Sequence, residues 1–249
     1  MIDLPWTTIA AAALIVTLGY TVFGLTGFGA TIVALPLLAH FFPLRFAVPL
    51  MLVFDLGAGF LLGLRNRRLI ARAELLRLLP YLLLGMLAGV TLLARAPERW
   101  LLLVLGGYVL SYAVWSFVSK VPPTPISPRW AVAAGLVGGS FTALYGTGGP
   151  IYVIYLARRL ADPAVVRASI GGLIFGTAWA RGVLFTGSGL YAQPGLLALA
   201  LALLPCALAG YLAGSQLHAR LPGARAVQAV WLLLIASGSG LVWRAWGLD

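Results

Sequence analysis

The stretch from Trp6 to Phe42 reads WTTIAAAALIVTLGYTVFGLTGFGATIVALPLLAHFF, and its reading decides the fold class. It contains no Asp, Glu, Lys or Arg. As a single helix it would run about 55 Å at ~1.5 Å per residue, well beyond the ~30 Å hydrocarbon core of a bilayer. The cluster Gly24-Leu25-Thr26-Gly27-Phe28-Gly29 is the natural fold-back point. The stretch therefore predicts two membrane passes, or a re-entrant hairpin of the same parity.

Working outward, the same pattern recurs. Apolar runs lie at Phe46–Leu64, Leu78–Ala94, Trp100–Val118, Trp130–Leu144, Ile151–Leu156, Ala168–Phe185, Gly195–Leu217 and Val227–Trp246. Across 249 residues the chain is 61% hydrophobic and only 9% charged, whereas a soluble domain carries roughly 25% charged residues. So few charges cannot cover a water-facing surface, and the expected fold is an all-α polytopic membrane protein. The net charge of +11 comes from arginines and one lysine, Lys120, mostly in short loops between apolar runs. That is the positive-inside bias of membrane proteins rather than a nucleic-acid footprint. Cys206 is the one cysteine, so no internal disulfide forms, and His40 and His218 lack metal-ligand spacing. No metal or cofactor is expected. Met1-Ile2-Asp3-Leu4-Pro5 has no basic n-region, so the first apolar run is expected to stay in the mature protein.

The chain reads as a duplication, with residues 1–121 as a first repeat, 122–128 as a linker and 129–249 as a second repeat. Gly27-Phe28-Gly29 aligns with Gly146-Thr147-Gly148 at an offset of 119. Arg45-Phe46-Ala47 aligns with Arg167-Ala168-Ser169 at 122, and Pro80, Gly85, Gly89 and Pro97 align with Pro205, Gly210, Gly214 and Pro222 at 125. Loop charge orients the halves. The loop before the Pro80 run is strongly basic (Arg65, Arg67, Arg68, Arg72, Arg77), while its counterpart, Thr186–Gln193, carries no charge. Equivalent loops thus prefer opposite sides, which predicts inverted repeats. Inversion needs an odd number of crossings per half, so about five segments per half are expected, some short or re-entrant, with the Gly-rich breaks meeting near the midplane. Both termini then face outside. A count of eight crossings, each break lying inside one helix, is the alternative.

Paired discontinuities at matching positions are the sequence pointer to a transporter's binding site. Helix restarts after glycine turns expose backbone N–H groups and a positive dipole end, which suits an anion. The candidate substrate-binding residues are Thr26, Gly27, Phe28 and Gly29 in the first break, Tyr145, Gly146, Thr147, Gly148 and Gly149 in the second, and Arg181. Thr31, Thr142, Tyr152, Tyr155 and Ser169 are weaker polar candidates. The same glycines also suit close helix packing. Charges within apolar runs are costly and usually mark function. Asp55 is the candidate carrier of a coupling proton, or else one half of a static ion pair. Arg181 binds an anion, pairs with Asp55, or snorkels to the interface.

The segment Gly24-Leu25-Thr26-Gly27-Phe28-Gly29-Ala30, with Leu35-Pro36-Leu37-Leu38, resembles the first signature of the TauE/SafE sulfite and organosulfonate exporters. Gly146-Thr147-Gly148-Gly149-Pro150 and Arg167-Ala168-Ser169 resemble the second-half signature. The resemblance spans nearly the whole chain. It implies export of a small sulfur anion (sulfite, sulfoacetate or another organosulfonate) across a bacterial inner membrane. The first break departs from the family pattern in reading Gly-Phe-Gly-Ala, so the two breaks are expected to contribute unequally.

Three functions compete. A secondary transporter works by alternating access, with proton coupling left open. A passive anion channel or uniporter uses the same site without coupling. An intramembrane enzyme needs a catalytic cluster that the sequence does not offer, and no P-loop pattern is present. The expected partners are a small anionic substrate and the lipid bilayer, with a homodimer left open and nucleic acid excluded.

Overall fold

A computed structural model describes residues 5–26, 29–63, 67–118, 124–218 and 223–247. Every regular element among them is helical. Ten α-helices run in order: α1 (Trp6–Thr26), α2 (Ala30–Leu38), α3 (Leu44–Gly63), α4 (Arg72–Arg95), α5 (Glu98–Val118), α6 (Trp130–Tyr145), α7 (Gly149–Ala157), α8 (Pro163–Gly187), α9 (Leu196–His218) and α10 (Gly223–Trp246). Short 3-10 turns lie at Arg67–Leu69 and Leu190–Ala192. Each apolar run became one helix. Several helices start earlier than their apolar run, because a basic flank continues the helix. Arg72 and Arg77 lie in the first turns of α4, not in a loop, and Arg77 pairs there with Glu74 one turn before it. The start of α8 is fixed locally: Asp162 Oδ1 accepts from the Ala164 N–H at 2.8 Å, and Pro163 occupies the first position.

Four described helices, at Trp6–Leu25, Arg72–Arg95, Pro163–Gly187 and Leu196–Leu217, are long and apolar enough to cross a membrane. Their outer faces carry exposed Leu14, Leu84, Leu87, Leu201 and Leu212, the surface that hydrocarbon covers. Trp6, Trp100, Trp130 and Trp246 stand exposed at helix ends, as an interfacial aromatic belt requires.

The chain divides into two compact units. The first comprises residues 1–51, 96–120 and 193–249, and in it α1 packs on α9, α5 on α10, and α2 on α1 and α10. The second comprises residues 52–95 and 121–192, and in it α4 packs on α6, α7 on α6 and α8, and α8 on α4. Glycines set the approach along the main seam of each unit. A Cβ at Gly210 would lie 2.3 Å from the Thr17 carbonyl oxygen, and one at Gly214 would lie 2.1 Å from that of Thr21. In the second unit a Cβ at Gly85 would lie 2.2 Å from the Leu136 oxygen, and one at Gly89 would lie 2.5 Å from that of Ser140. In both seams the contacts climb together along the two chains, so α1 runs parallel to α9 and α4 parallel to α6. Ser140 Oγ donates to the Gly85 carbonyl at 3.1 Å across the second seam. Thr17 Oγ1 likewise donates to the Cys206 carbonyl at 3.5 Å across the first, so small residues and hydroxyls do the work that a hydrophobic driving force does in water.

At each Gly-rich break the chain folds back on itself. Gly19 of α1 meets Ala34 of α2 so closely that a Cβ on the glycine would lie 2.8 Å from the alanine methyl. In an unbroken helix these residues would stand roughly 22 Å apart at ~1.5 Å per residue. Gly138 of α6 lies likewise under the Tyr152 ring of α7. Neither break therefore sits inside one continuous helix. Both α2 and α7 have nine residues, about 13 Å of helix at ~1.5 Å per residue, too short to span the membrane alone.

Candidate functional site

The second unit gathers most of the charged and polar candidates. The break after α6 is made by Gly146, whose φ of 70° lies in the left-handed region, a conformation costly for a residue with a Cβ. Its N–H closes onto the Thr142 carbonyl at 2.8 Å. Gly148 then caps α7 with no side-chain cap bond, and Pro150 occupies its first turn. The N-terminal end of α7 thus emerges as backbone, and a Cβ at Gly149 would meet nothing within 4 Å. Thr142, Tyr145 and Thr147 are buried around the turn. Tyr152 reaches back to α6, where its Oη and Thr142 Oγ1 share a hydrogen bond of 2.9 Å.

Arg181 lies on α8, only 3% exposed. Its Nη2 donates to Asp55 Oδ2 at 3.0 Å, so the pairing of these two intramembrane charges is real. The pair leaves capacity unused. Arg181 Nε and Nη1 are buried and make no hydrogen bond among the described residues. A guanidinium is a rigid fork of five N–H donors that matches planar or pyramidal oxyanions. Buried donors left unmade are expensive, so this edge is chemically disposed toward an acceptor. Tyr152 lies within electrostatic reach of Arg181. So does Tyr191, in the 3-10 turn after α8, which also feels Asp55. Burial pushes the Tyr191 hydroxyl up to about 12, opposed by Arg181 and reinforced by Asp55, so it remains a neutral donor.

The first break belongs to the first unit. Gly27 and Phe28 lie outside the described residues, as does the Thr26 side chain. Gly29 caps α2 with φ 94° and no side-chain bond. The left-handed glycine thus directly precedes α2 in the first break but directly follows α6 in the second. Of the weaker candidates, Thr31 is buried. Ser169 Oγ accepts from the Ala71 N–H at 2.9 Å, a tie between α8 and the start of α4. Tyr155 donates to Glu74 at 2.7 Å.

Two features of this arrangement escaped the sequence reading. Glu74 was not singled out, and no local signal ties it to Tyr155, 81 residues away. Tyr191 sits in a loop, and only the turn after α8 brings it to Arg181.

Comparisons with known proteins bear on this arrangement. The chain is similar to the probable inner membrane transporter protein TsaS of Comamonas testosteroni, 29% identical over 201 residues that cover 79% of this chain and 83% of that protein. No solved structure matches. The family model described as sulfite exporter TauE/SafE matches residues 11–241. With that match spanning both breaks, Asp55, Arg181 and all but the ends of the helical array, the chain belongs to the TauE/SafE sulfite exporter family of membrane transporters.

Proposed function

We propose that the chain is a secondary transporter that exports a small sulfur-containing anion, sulfite or an organosulfonate such as sulfoacetate, from the bacterial cytoplasm across the inner membrane by alternating access. The observation that carries this reading is the Arg181 side chain, buried within the apolar part of α8 with Nε and Nη1 unbonded among the described residues. The anion takes those two donors, Asp55 balances the guanidinium in the substrate-free state, and Tyr152 and Tyr191 lie within electrostatic reach of Arg181. The break at Tyr145–Gly149 supplies backbone N–H groups at the start of α7, which no side chain caps, and the break at Thr26–Gly29 is assigned the same role. Asp55 is the residue to which proton coupling is assigned.

The transporter reading includes two inverted repeats, residues 1–121 and 129–249, with both termini outside. Packing supports the duplication. Gly210 and Gly214 meet Thr17 and Thr21, while Gly85 and Gly89 meet Leu136 and Ser140. The glycines are 125 residues apart and their partners 119, the same offsets by which the two sequences align. Gly19 and Gly138, the glycines that seat the two fold-backs, are also 119 apart.

The test is sulfite efflux from liposomes holding the purified chain, with and without an imposed proton gradient. Gradient-dependent flux, weakened by Arg181→Ala, is the expected result. Flux indifferent to the gradient turns the reading to a uniporter or channel. No sulfite flux from folded protein moves the substrate to larger sulfonates.

A further inference from the structure

Among the described residues of the second unit, a further buried charge cluster lies outside the Arg181 site. Glu74, in the first turn of α4, is 7% exposed and accepts from three groups. Its Oε1 takes Arg77 Nη1 and, at 2.8 Å, Arg159 Nη2, while its Oε2 takes the Tyr155 hydroxyl at 2.7 Å. Arg159 also donates through Nη1 to the Ile126 carbonyl at 3.0 Å, and the Ile126 N–H returns to the Arg158 carbonyl at 3.3 Å. One carboxylate therefore joins the start of α4, the last turn of α7, the residues after it and the segment leading into α6.

The geometry of α7 gives this cluster a consequence. Tyr152 and Tyr155 are three residues apart, so their side chains share one face of the helix. Tyr152 is bonded to Thr142 beside the break and lies within electrostatic reach of Arg181. Tyr155 is bonded to Glu74. The helix is about 13 Å long at ~1.5 Å per residue, and its near end is seated by the packed turn Gly146–Gly148, where Gly148 lies against Thr142 and Gly138, and by the Tyr152–Thr142 bond. The Tyr155–Glu74 bond holds the far end, so the two bonds together set the rotation of the helix.

We propose that Glu74 is a positioning residue for the anion site: acting through Tyr155, it fixes the rotation and register of α7, and so sets Tyr152 and the N-terminal end of α7 for the anion that Arg181 binds. This inference rests on the transport reading above. The carboxylate and its donors are placed at the helix end away from the anion, and they act on affinity rather than on the translocation step.

The test uses the full-length chain in liposomes with sulfite as the probe, initial rates being normalised to protein that is monodisperse by size-exclusion chromatography. Tyr155→Phe removes one hydroxyl and leaves the ring. It should raise KM for sulfite about tenfold, the equivalent of one charge-assisted hydrogen bond, with Vmax per folded protein retained. Glu74→Gln should move KM the same way. Tyr155→Phe combined with Arg181→Lys should lose less than the product of the single losses, because both act on one bound anion. Wild-type flux with an unmoved KM in Tyr155→Phe, a fall in Vmax alone, or strictly multiplicative losses would each overturn the positioning role while leaving the transport reading intact. Absence of sulfite flux from folded wild-type protein would overturn both.

Discussion

Replacing Gly214 by alanine tests the seam between α1 and α9 directly. The added Cβ would lie 2.1 Å from the Thr21 carbonyl oxygen, with the Thr21 carbonyl carbon and Cα at 2.9 and 3.0 Å. All three are backbone atoms, so no side chain can swing aside. A carbon–oxygen contact settles at about 3.3–3.6 Å, so the helices must part locally by more than about 1 Å. A gap of ~0.5–1 Å already forfeits a quarter to a half of each dispersion contact it opens. Overpacking of this kind costs about 3 kcal/mol at the upper end of its usual range, and the better helix propensity of alanine returns up to ~1. The net loss of about 2 kcal/mol corresponds to a fall in melting temperature of roughly 4–8 °C for a chain of this size. The assay is thermal unfolding in detergent followed by size-exclusion chromatography, with Gly107→Ala as the control. A Cβ at Gly107 meets nothing within 4 Å, so that variant should melt at or slightly above the wild-type temperature. Gly89→Ala, in the matching seam of the second unit, should fall by a similar amount. A Gly214→Ala protein melting with the wild type would refute the close approach of α1 and α9.

Four further outcomes are expected. Arg181→Ala should weaken sulfite transport with expression kept, measured as liposome efflux, and unchanged flux would remove Arg181 from the site. Asp55→Asn should abolish the pH dependence of transport and, by leaving a buried guanidinium without its carboxylate, destabilise the fold by about 3–5 kcal/mol, read as a lowered melting temperature. Gly146→Ala forces a Cβ into the left-handed region at φ 70° and should cost about 1–2 kcal/mol, visible as a lowered melting temperature together with reduced flux. Single cysteines at Arg67 and Ser188 should label with an impermeant reagent only from the inside and only from the outside, respectively, in intact cells, and outside labelling at Arg67 would sink the proposed orientation.

The helices were largely legible in the sequence, because hydropathy and length dictate them in a bilayer. Each apolar run from Trp6 to Trp246 became a helix, and the two glycine clusters became fold-backs, since only there can so apolar a chain turn. The pairing of Asp55 with Arg181 was foreseeable from the scarcity of intramembrane charge, with six acidic residues in the whole chain. The Glu74 cluster was not, because its partners Tyr155 and Arg159 lie 81 and 85 residues away and nothing local marks them. Helix starts were also misjudged at Arg72. Apolarity marks where lipid begins, whereas the helix continues into the headgroup layer as long as pairs such as Glu74–Arg77 support it. That the left-handed glycine lies before α2 in the first break but after α6 in the second is a backbone property that sequence does not spell out.

The seam between α1 and α9 also sets an order for biosynthesis. The helix α1 finds its main partner in α9, so the α1–α9 seam stays open until the ribosome has made residue 218. At about 5–20 residues per second, roughly 10–40 s separate the last residue of α1 from the last residue of α9. The second unit lacks nothing once Ala192 has emerged. The α4–α6 seam can therefore close while α1 still waits in the bilayer with lipid against its Thr17–Thr21 face. A helix left so long without its partner must be a stable membrane resident on its own, and the Trp6–Leu25 span, with a mean hydropathy of 1.9, meets that demand.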